Sequence, residues 1–113
     1  MVTSQSKIVI DFDEKECLAE IKKFREADED GKHFKMYTYK DGSKYEGQWR
    51  KNKRDGKGIY KWKGGFANYI GEFKKDKKHG YGKMSYGDGA SYTGAWFDDK
   101  RNGDGHMIWP DQS

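Results

Sequence analysis

The chain has 113 residues, 23 of them basic and 19 acidic, for a formal net charge of +4, and it carries one cysteine. The lone Cys17 excludes an internal disulfide framework and fits a reducing compartment, and no apolar run approaches the roughly 18 residues a membrane span needs. The expectation is a soluble, cytoplasmic protein of one domain, or one domain plus an arm.

Residues 1–36 read as the arm. Residues 1–6 are polar, and Lys7 to Phe12 is a short β-prone run. Asp13 is a good helix N-cap, with Glu16 three residues on as in a capping box and Glu14 favourable at the positive end of the helix dipole. A helix over about 14–28 follows, with Cys17, Leu18, Ile21 and Phe24 on one face, and Gly31 ends it. A helix of this length is marginal alone, so its apolar stripe needs a surface. One reading is a cap on the first hairpin edge, or in the concave face, of the chain's own array. The other is a dock for a different protein, with Leu18, Ile21 and Phe24 as anchors.

Residues 37–113 are periodic. All eight Tyr, all four Trp and fourteen of the fifteen Gly fall there, which predicts a core of rings packed over glycines in place of an aliphatic one. A degraded half repeat (37–44) carries Tyr37 and Tyr39, with His33 and Lys35 standing upstream where Gly-x-Gly is expected. Units then open at Tyr45, Tyr69 and Tyr92, each as Tyr-x-Gly-x-Trp/Phe, and Gly56-x-Gly58, Gly80-x-Gly82 and Gly103-x-Gly105 follow at a fixed offset. Alternation of rings with polar residues predicts two strands per unit with one aromatic face. A repeat of this length signals stacked hairpins that bury their apolar faces against each other. The glycines leave room for a neighbouring ring over the backbone or supply positive φ.

This skeleton, with a basic loop between its strands and Asp41-Gly42, Gly64-Gly65 or Asp88-Gly89 between its units, resembles the MORN (membrane occupation and recognition nexus) repeat across residues 37–113. The resemblance implies a mainly β protein: a curved, twisted single-layer β-meander of stacked MORN hairpins, preceded here by the N-terminal amphipathic helix. It also implies no catalytic activity of its own and use as a scaffold for proteins or membranes, with similar arrays common in cytoskeletal and ciliary assemblies. A groove that accepts a helical or extended partner segment maps, by the same resemblance, onto Tyr39, Tyr60, Trp62, Tyr86 and Trp109.

Charge offers a second surface. Residues 1–36 hold seven basic and nine acidic residues, whereas 37–113 hold sixteen and ten. The positive residues concentrate in two hairpin loops, Arg50, Lys51, Lys53 and Arg54 in one and Lys74, Lys75, Lys77 and Lys78 in the other. Stacking would bring them to one rim, where anionic phospholipid headgroups are the alternative partner and plain solvation of turns is the bland reading. Nucleic acid is disfavoured, because packing already accounts for the rings. The strand end near Trp109 makes self-association through array ends or faces a further expectation. No nucleophile stands in order with a His and a carboxylate, and no phosphate-cradling loop opens a helix, so no enzyme and no cofactor is expected. Cys17, His33, His79 and His106 share no metal-ligand spacing.

Overall fold

A computed structural model describes residues 12–26 and 31–110. The expectations for residues 1–11, including the Lys7 to Asp11 part of the β-prone run, for the helix tail at 27–28 and for residues 111–113 lie outside the described residues. Helix α1 spans Glu14–Phe24, followed by strands β1 (His33–Thr38), β2 (Lys44–Arg50), β3 (Lys53–Lys61), β4 (Asn68–Lys74), β5 (Lys77–Ser85), β6 (Ser91–Phe97) and β7 (Lys100–Ile108). The seven strands form one sheet in sequence order, every neighbour antiparallel. This is the meander the repeats predict.

Two boundaries differ from the sequence reading. The helix stops at Phe24, ahead of the expected residue 28, with the Arg25 backbone N–H donating to the Lys22 carbonyl at 3.2 Å and the Glu26 N–H to the Lys23 carbonyl at 3.0 Å. The half repeat begins at His33, four residues sooner than 37, because His33 to Thr38 pairs with Trp49 to Lys44 whether or not the Gly-x-Gly is kept. The N-cap is as expected: Asp13 Oδ1 accepts from the Glu16 backbone N–H at 3.2 Å.

Each hairpin is closed by a two-residue turn, Lys51-Asn52, Lys75-Asp76 or Asp98-Asp99, whose residues all have positive φ, the geometry that matches strand twist. Within each hairpin the register then shifts beyond a Gly–Gly pair. One residue of the first strand (Gln48, Glu72 or Ala95) faces three of the second, a bulge that includes Gly56, Gly80 or Gly103 at positive φ. The second glycine of each pair has a separate task. A Cβ on Gly58, Gly82 or Gly105 would stand less than 3.0 Å from the ring or hydroxyl of Tyr45, Tyr69 or Tyr92, respectively. The ring lies flat on its hairpin partner's backbone, and the hydroxyl reaches over the bulge to donate to the carbonyls of Gln48 (2.9 Å), Glu72 (3.0 Å) and Ala95 (3.3 Å).

This packing lets a single layer exclude water from its core. Tyr45 and Tyr69 are 0% exposed, and Trp49, Phe73 and Trp96 are 5% exposed. Rings meet edge to face within a unit (Tyr45–Trp49 at 5.1 Å) and between units (Tyr45–Phe73 at 5.1 Å, Tyr69–Trp96 at 5.4 Å), an arrangement favoured by ring quadrupoles. Trp Nε1 joins hairpins, Trp49 donating to the Lys35 carbonyl at 3.0 Å and Trp96 to the Gly82 carbonyl at 3.2 Å. Phe73 holds the matching place between them and has no such donor.

The helix lies on the opposite face. Cys17 and Ile21, 4% and 3% exposed, pack on Ile70 together with Phe12, Phe34 and Ile59. Ile59 and Ile70 alternate with Tyr60 and Tyr69 along their strands and so point away from the rings. Ion pairs flank this contact: Lys57 with Glu20, Lys83 with Glu14 at 3.1 Å and Arg25 with Glu46 at 3.1 Å. The arm therefore crosses the middle of a sheet face instead of capping the first edge.

Candidate functional site

The ring face is not covered by any described element. Four of the five candidate residues, Tyr39, Tyr60, Trp62 and Tyr86, are half-buried and pack against the ring core, while Trp109 is 60% exposed. Tyr39, Tyr60 and Trp62 meet ring to ring, with centroids 5.7 and 4.6 Å apart. Tyr86 and Trp109 make no ring contact among the described residues. Tyr39, Trp62, Tyr86 and Trp109 sit at matching positions, each two residues after Tyr37, Tyr60, Met84 and Met107 respectively, which themselves match. Tyr60 thus lies one step before Trp62 on the same face, and the five border the buried row as a half-wet stripe.

The charges depart from the loop picture. Arg54 and Lys78, expected at the rim, lie over the rings. The Arg54 guanidinium stands 5.0 Å from the Tyr60 ring, 5.4 Å from Phe73 and 5.8 Å from Tyr39. Lys78 Nζ stands 5.3 Å from Trp96 and 5.6 Å from Trp62, within cation–π range. Both are held by the turn of the next hairpin. The Arg54 backbone N–H and Nε donate to Asp76 Oδ1 at 2.8 and 3.1 Å and its Nη2 to the Asp76 carbonyl at 2.8 Å, while the Asp76 N–H returns to the Arg54 carbonyl at 2.9 Å. Lys78 repeats this with Asp99, its N–H donating at 2.8 Å and its Nζ lying 3.5 Å away. The signal for this clasp was present in sequence, as a basic residue five positions after Trp49 or Phe73 and an Asp in the following turn. Only the register shows that the two meet.

Of the other proposed loop cations, Lys77 pairs with Asp98 at 3.0 Å and Arg50 with Asp55 at 3.8 Å. Lys51, Lys53, Lys74 and Lys75 are exposed and make no side-chain ion pair among the described residues. Phe97, 58% exposed, borders a cleft of about 320 Å³ that Lys74, Lys75 and Lys77 also line.

On the helix face Ile21 is buried against the chain's own sheet, Phe24 is half-buried and Leu18 is 36% exposed. Burial pushes the Cys17 thiol up to about 12, which keeps it protonated and unreactive. Burial also raises the Tyr45 and Tyr69 hydroxyls far above the ordinary tyrosine range, so both remain donors at any physiological pH. Glu72 is raised by burial, opposed by Lys57, His79 and the Tyr81 N–H. Among the described residues no group of three or more His, Cys, Asp and Glu could hold a metal ion, and no helix is long and apolar enough to cross a membrane.

The MORN repeat family model matches residues 45–66, 69–91 and 92–113, three successive units in the register set by the hairpins. This chain belongs to the MORN repeat family. The MORN repeat is a non-catalytic repeat module, found generally in proteins that interact with partners or associate with membranes. A search of curated proteins finds no significant match to the chain. In this MORN protein the repeat's tyrosines and glycines build the sheet, and the half-wet stripe and the basic rim lie beside them.

Proposed function

We propose that this chain is a non-catalytic scaffold that binds a protein segment, helical or extended, along the stripe of Tyr39, Tyr60, Trp62, Tyr86 and Trp109. The observation that carries this reading is the position of α1. The arm already covers the apolar patch of one face, whereas the other presents half-buried rings with Arg54 and Lys78 laid over them. A segment rich in apolar side chains fits such a surface, since half-buried rings supply contact area. The setting this suits is a cytoplasmic one, including the cytoskeletal and ciliary assemblies where arrays resembling this one occur.

Panning a displayed peptide library against the full chain tests the reading. Apolar sequences whose binding shifts the amide signals around Tyr39, Tyr60, Trp62 and Tyr86 are the expected outcome. Peptides that leave those signals unmoved, or that depend on the rim lysines, refute it.

A second reading has its own observation, the exposed Phe97 beside Lys74, Lys75 and Lys77. A ring at the edge of a basic cluster suits an anionic membrane surface, each lysine contributing about 1 kcal/mol near the headgroups. Co-sedimentation with phosphoinositide and with neutral liposomes, at low and high salt, tests it. The variant of choice reverses Lys51, Lys53, Lys74 and Lys75 to Glu and spares Lys78, whose clasp on Asp99 belongs to the fold.

A further inference from the structure

The contact between successive hairpins is made twice inside this sheet, and both times by the same parts. The second strand of one hairpin offers a basic residue at its start (Arg54, Lys78) and, four positions on, a glycine (Gly58, Gly82). The incoming strand offers Tyr-x-Gly-x-Phe/Trp and then an aspartate three residues later (Asp76, Asp99). The aspartate takes the backbone N–H and side chain of the basic residue, and the basic residue lies over the incoming ring. Where that ring is Trp96, its Nε1 donates to the glycine carbonyl.

Strand β7 carries the receiving half of this contact again. Arg101 stands where Arg54 and Lys78 stand, Gly105 where Gly58 and Gly82 stand, and Met107 matches Met84. Among the described strands β7 has a neighbour only in β6. Arg101 accordingly has no acidic partner among the described residues. Its guanidinium lies 5.6 Å from the Tyr92 ring, as Lys78 Nζ lies 5.8 Å from Tyr69, and its Nη1 is 3.9 Å from Met107 Sδ. At the far end of the strand Ile108 and Trp109 are 49% and 60% exposed.

The other edge supplies a control. The first turn contains Asn52 where the other two contain Asp76 and Asp99, and the position in the arm that matches Arg54 is Gly31. The aspartate is thus absent at the one junction where no basic residue awaits it. Its presence tracks the clasp and not the turn, because all three turns share the same positive-φ geometry.

We propose that β7 is a docking edge for an extended protein segment of the form Tyr-x-Gly-x-Trp/Phe-x-x-Asp, which adds as an antiparallel eighth strand. The partner's aspartate binds the Arg101 backbone N–H and guanidinium, its ring lies under that guanidinium, and a Trp at that place donates to the Gly105 carbonyl. This is strand addition with side-chain specificity, and it is independent of the stripe on the ring face. A second copy of this chain does not supply such a segment from its edges, because the outer strands among the described residues, β1 and β7, both lack the Tyr-x-Gly-x-Trp/Phe-x-x-Asp sequence.

The test uses the full chain and a synthetic peptide with the sequence of residues 91–99, Ser-Tyr-Thr-Gly-Ala-Trp-Phe-Asp-Asp. Amide shift mapping is expected to place the peptide along β7, with β1 unmoved. Replacing the peptide's last Asp by Asn is expected to weaken binding about tenfold, the loss of one charge-assisted pair. Arg101→Ala should weaken it to the same degree and Arg101→Lys far less, since Lys78 performs this role internally. Arg101→Ala combined with the Asn peptide should lose no more than either change alone. Reversing Lys51, Lys53, Lys74 and Lys75 to Glu should leave binding unchanged. Absence of saturable binding up to about 1 mM, a footprint on β1, indifference to Arg101, or a chain dimer that holds β7 against the peptide would each overturn the proposal. None of those results bears on the ring stripe, whose own test reads Tyr39, Tyr60, Trp62 and Tyr86.

Discussion

Gly82→Ala and Gly103→Ala change the same residue type in the same motif and should differ several-fold in cost. At Gly82 the new methyl would stand less than 3.0 Å from the Tyr69 hydroxyl, Cζ and Cε1, on a ring that is 0% exposed. The backbone cannot retreat, because Gly71 is paired directly opposite and its own Cβ site falls within 3.0 Å of the Gly82 Cα. Tyr69 must therefore leave its seat, breaking its hydrogen bond to the Glu72 carbonyl and its edge-to-face contacts with Phe73 and Trp96. Expelling a buried aromatic costs about 3–5 kcal/mol. A Cβ at Gly103, in contrast, meets nothing within 4 Å, and only its φ of 71° resists, worth about 1 kcal/mol. At about 4 °C per kcal/mol for a domain of this size, Gly82→Ala should lower Tm by about 12–20 °C and Gly103→Ala by about 4 °C. Thermal melts followed by near-ultraviolet circular dichroism, which reports the packed rings, give the comparison. Equal losses in the two variants would refute the account of the ring seated on glycine.

Three further substitutions exploit differences between units. Ala95→Gln places at the third bulge the side chain that Gln48 uses to accept the Lys57 N–H at 2.9 Å; a gain of about 1 kcal/mol in urea unfolding is expected, with the Asp104 amide newly protected from exchange. Phe73→Trp supplies the missing indole donor toward the Gly58 carbonyl, in a slot whose counterparts hold Trp49 and Trp96, and should also raise the urea midpoint by about 1 kcal/mol; a loss would mean that the slot is narrower than its neighbours. Glu72→Gln removes a carboxylate whose pKa is raised by burial. A raised acid binds its proton more tightly in the folded state, so wild-type stability should fall as pH climbs from the unfolded carboxylate range through the raised folded value. The Gln variant should lose that slope and be the more stable at pH 7, whereas parallel pH profiles for the two proteins would contradict the assignment.

The hairpins were legible because their signals are local and repeated: the alternation, the Tyr-x-Gly-x-Trp/Phe spacing and the paired glycines each recur in three copies, so chance agreement is small. The helix was legible by its cap and its stripe, and the chain's own array was one of its two expected destinations, but its place on the sheet was not legible. That is set by Ile59 and Ile70, apolar residues on the otherwise polar face, at positions filled by Lys83 and Thr93 in the next unit and His106 in the last. A departure from the repeat was the signal, and reading for the repeat hid it. The clasp between Arg54 and Asp76 was hidden for a different reason. Its members are 22 residues apart and on different hairpins, and the bulge shifts register by two residues, so counting along strands places Arg54 in a loop when its guanidinium lies over Tyr60 and Phe73.

Arg54 and Lys78 therefore argue for separating two kinds of positive charge that composition merges. A cation clasped by an aspartate and stacked on rings is part of the joint between hairpins, and its removal takes away both the aspartate's partner and the cover over the rings. Lys51, Lys53, Lys74 and Lys75 have no such place in the fold, and their charge is open to an external anion. Arg101 belongs to the first kind by position and to the second by circumstance, since it sits at a joint whose other half no described strand provides. The repeat that makes the sheet stable also fixes what its edge can accept: a segment that completes the joint satisfies the Arg101 guanidinium, the Gly105 carbonyl and the open backbone of β7 together. A merely acidic or merely aromatic segment satisfies one of them and leaves the others exposed to water.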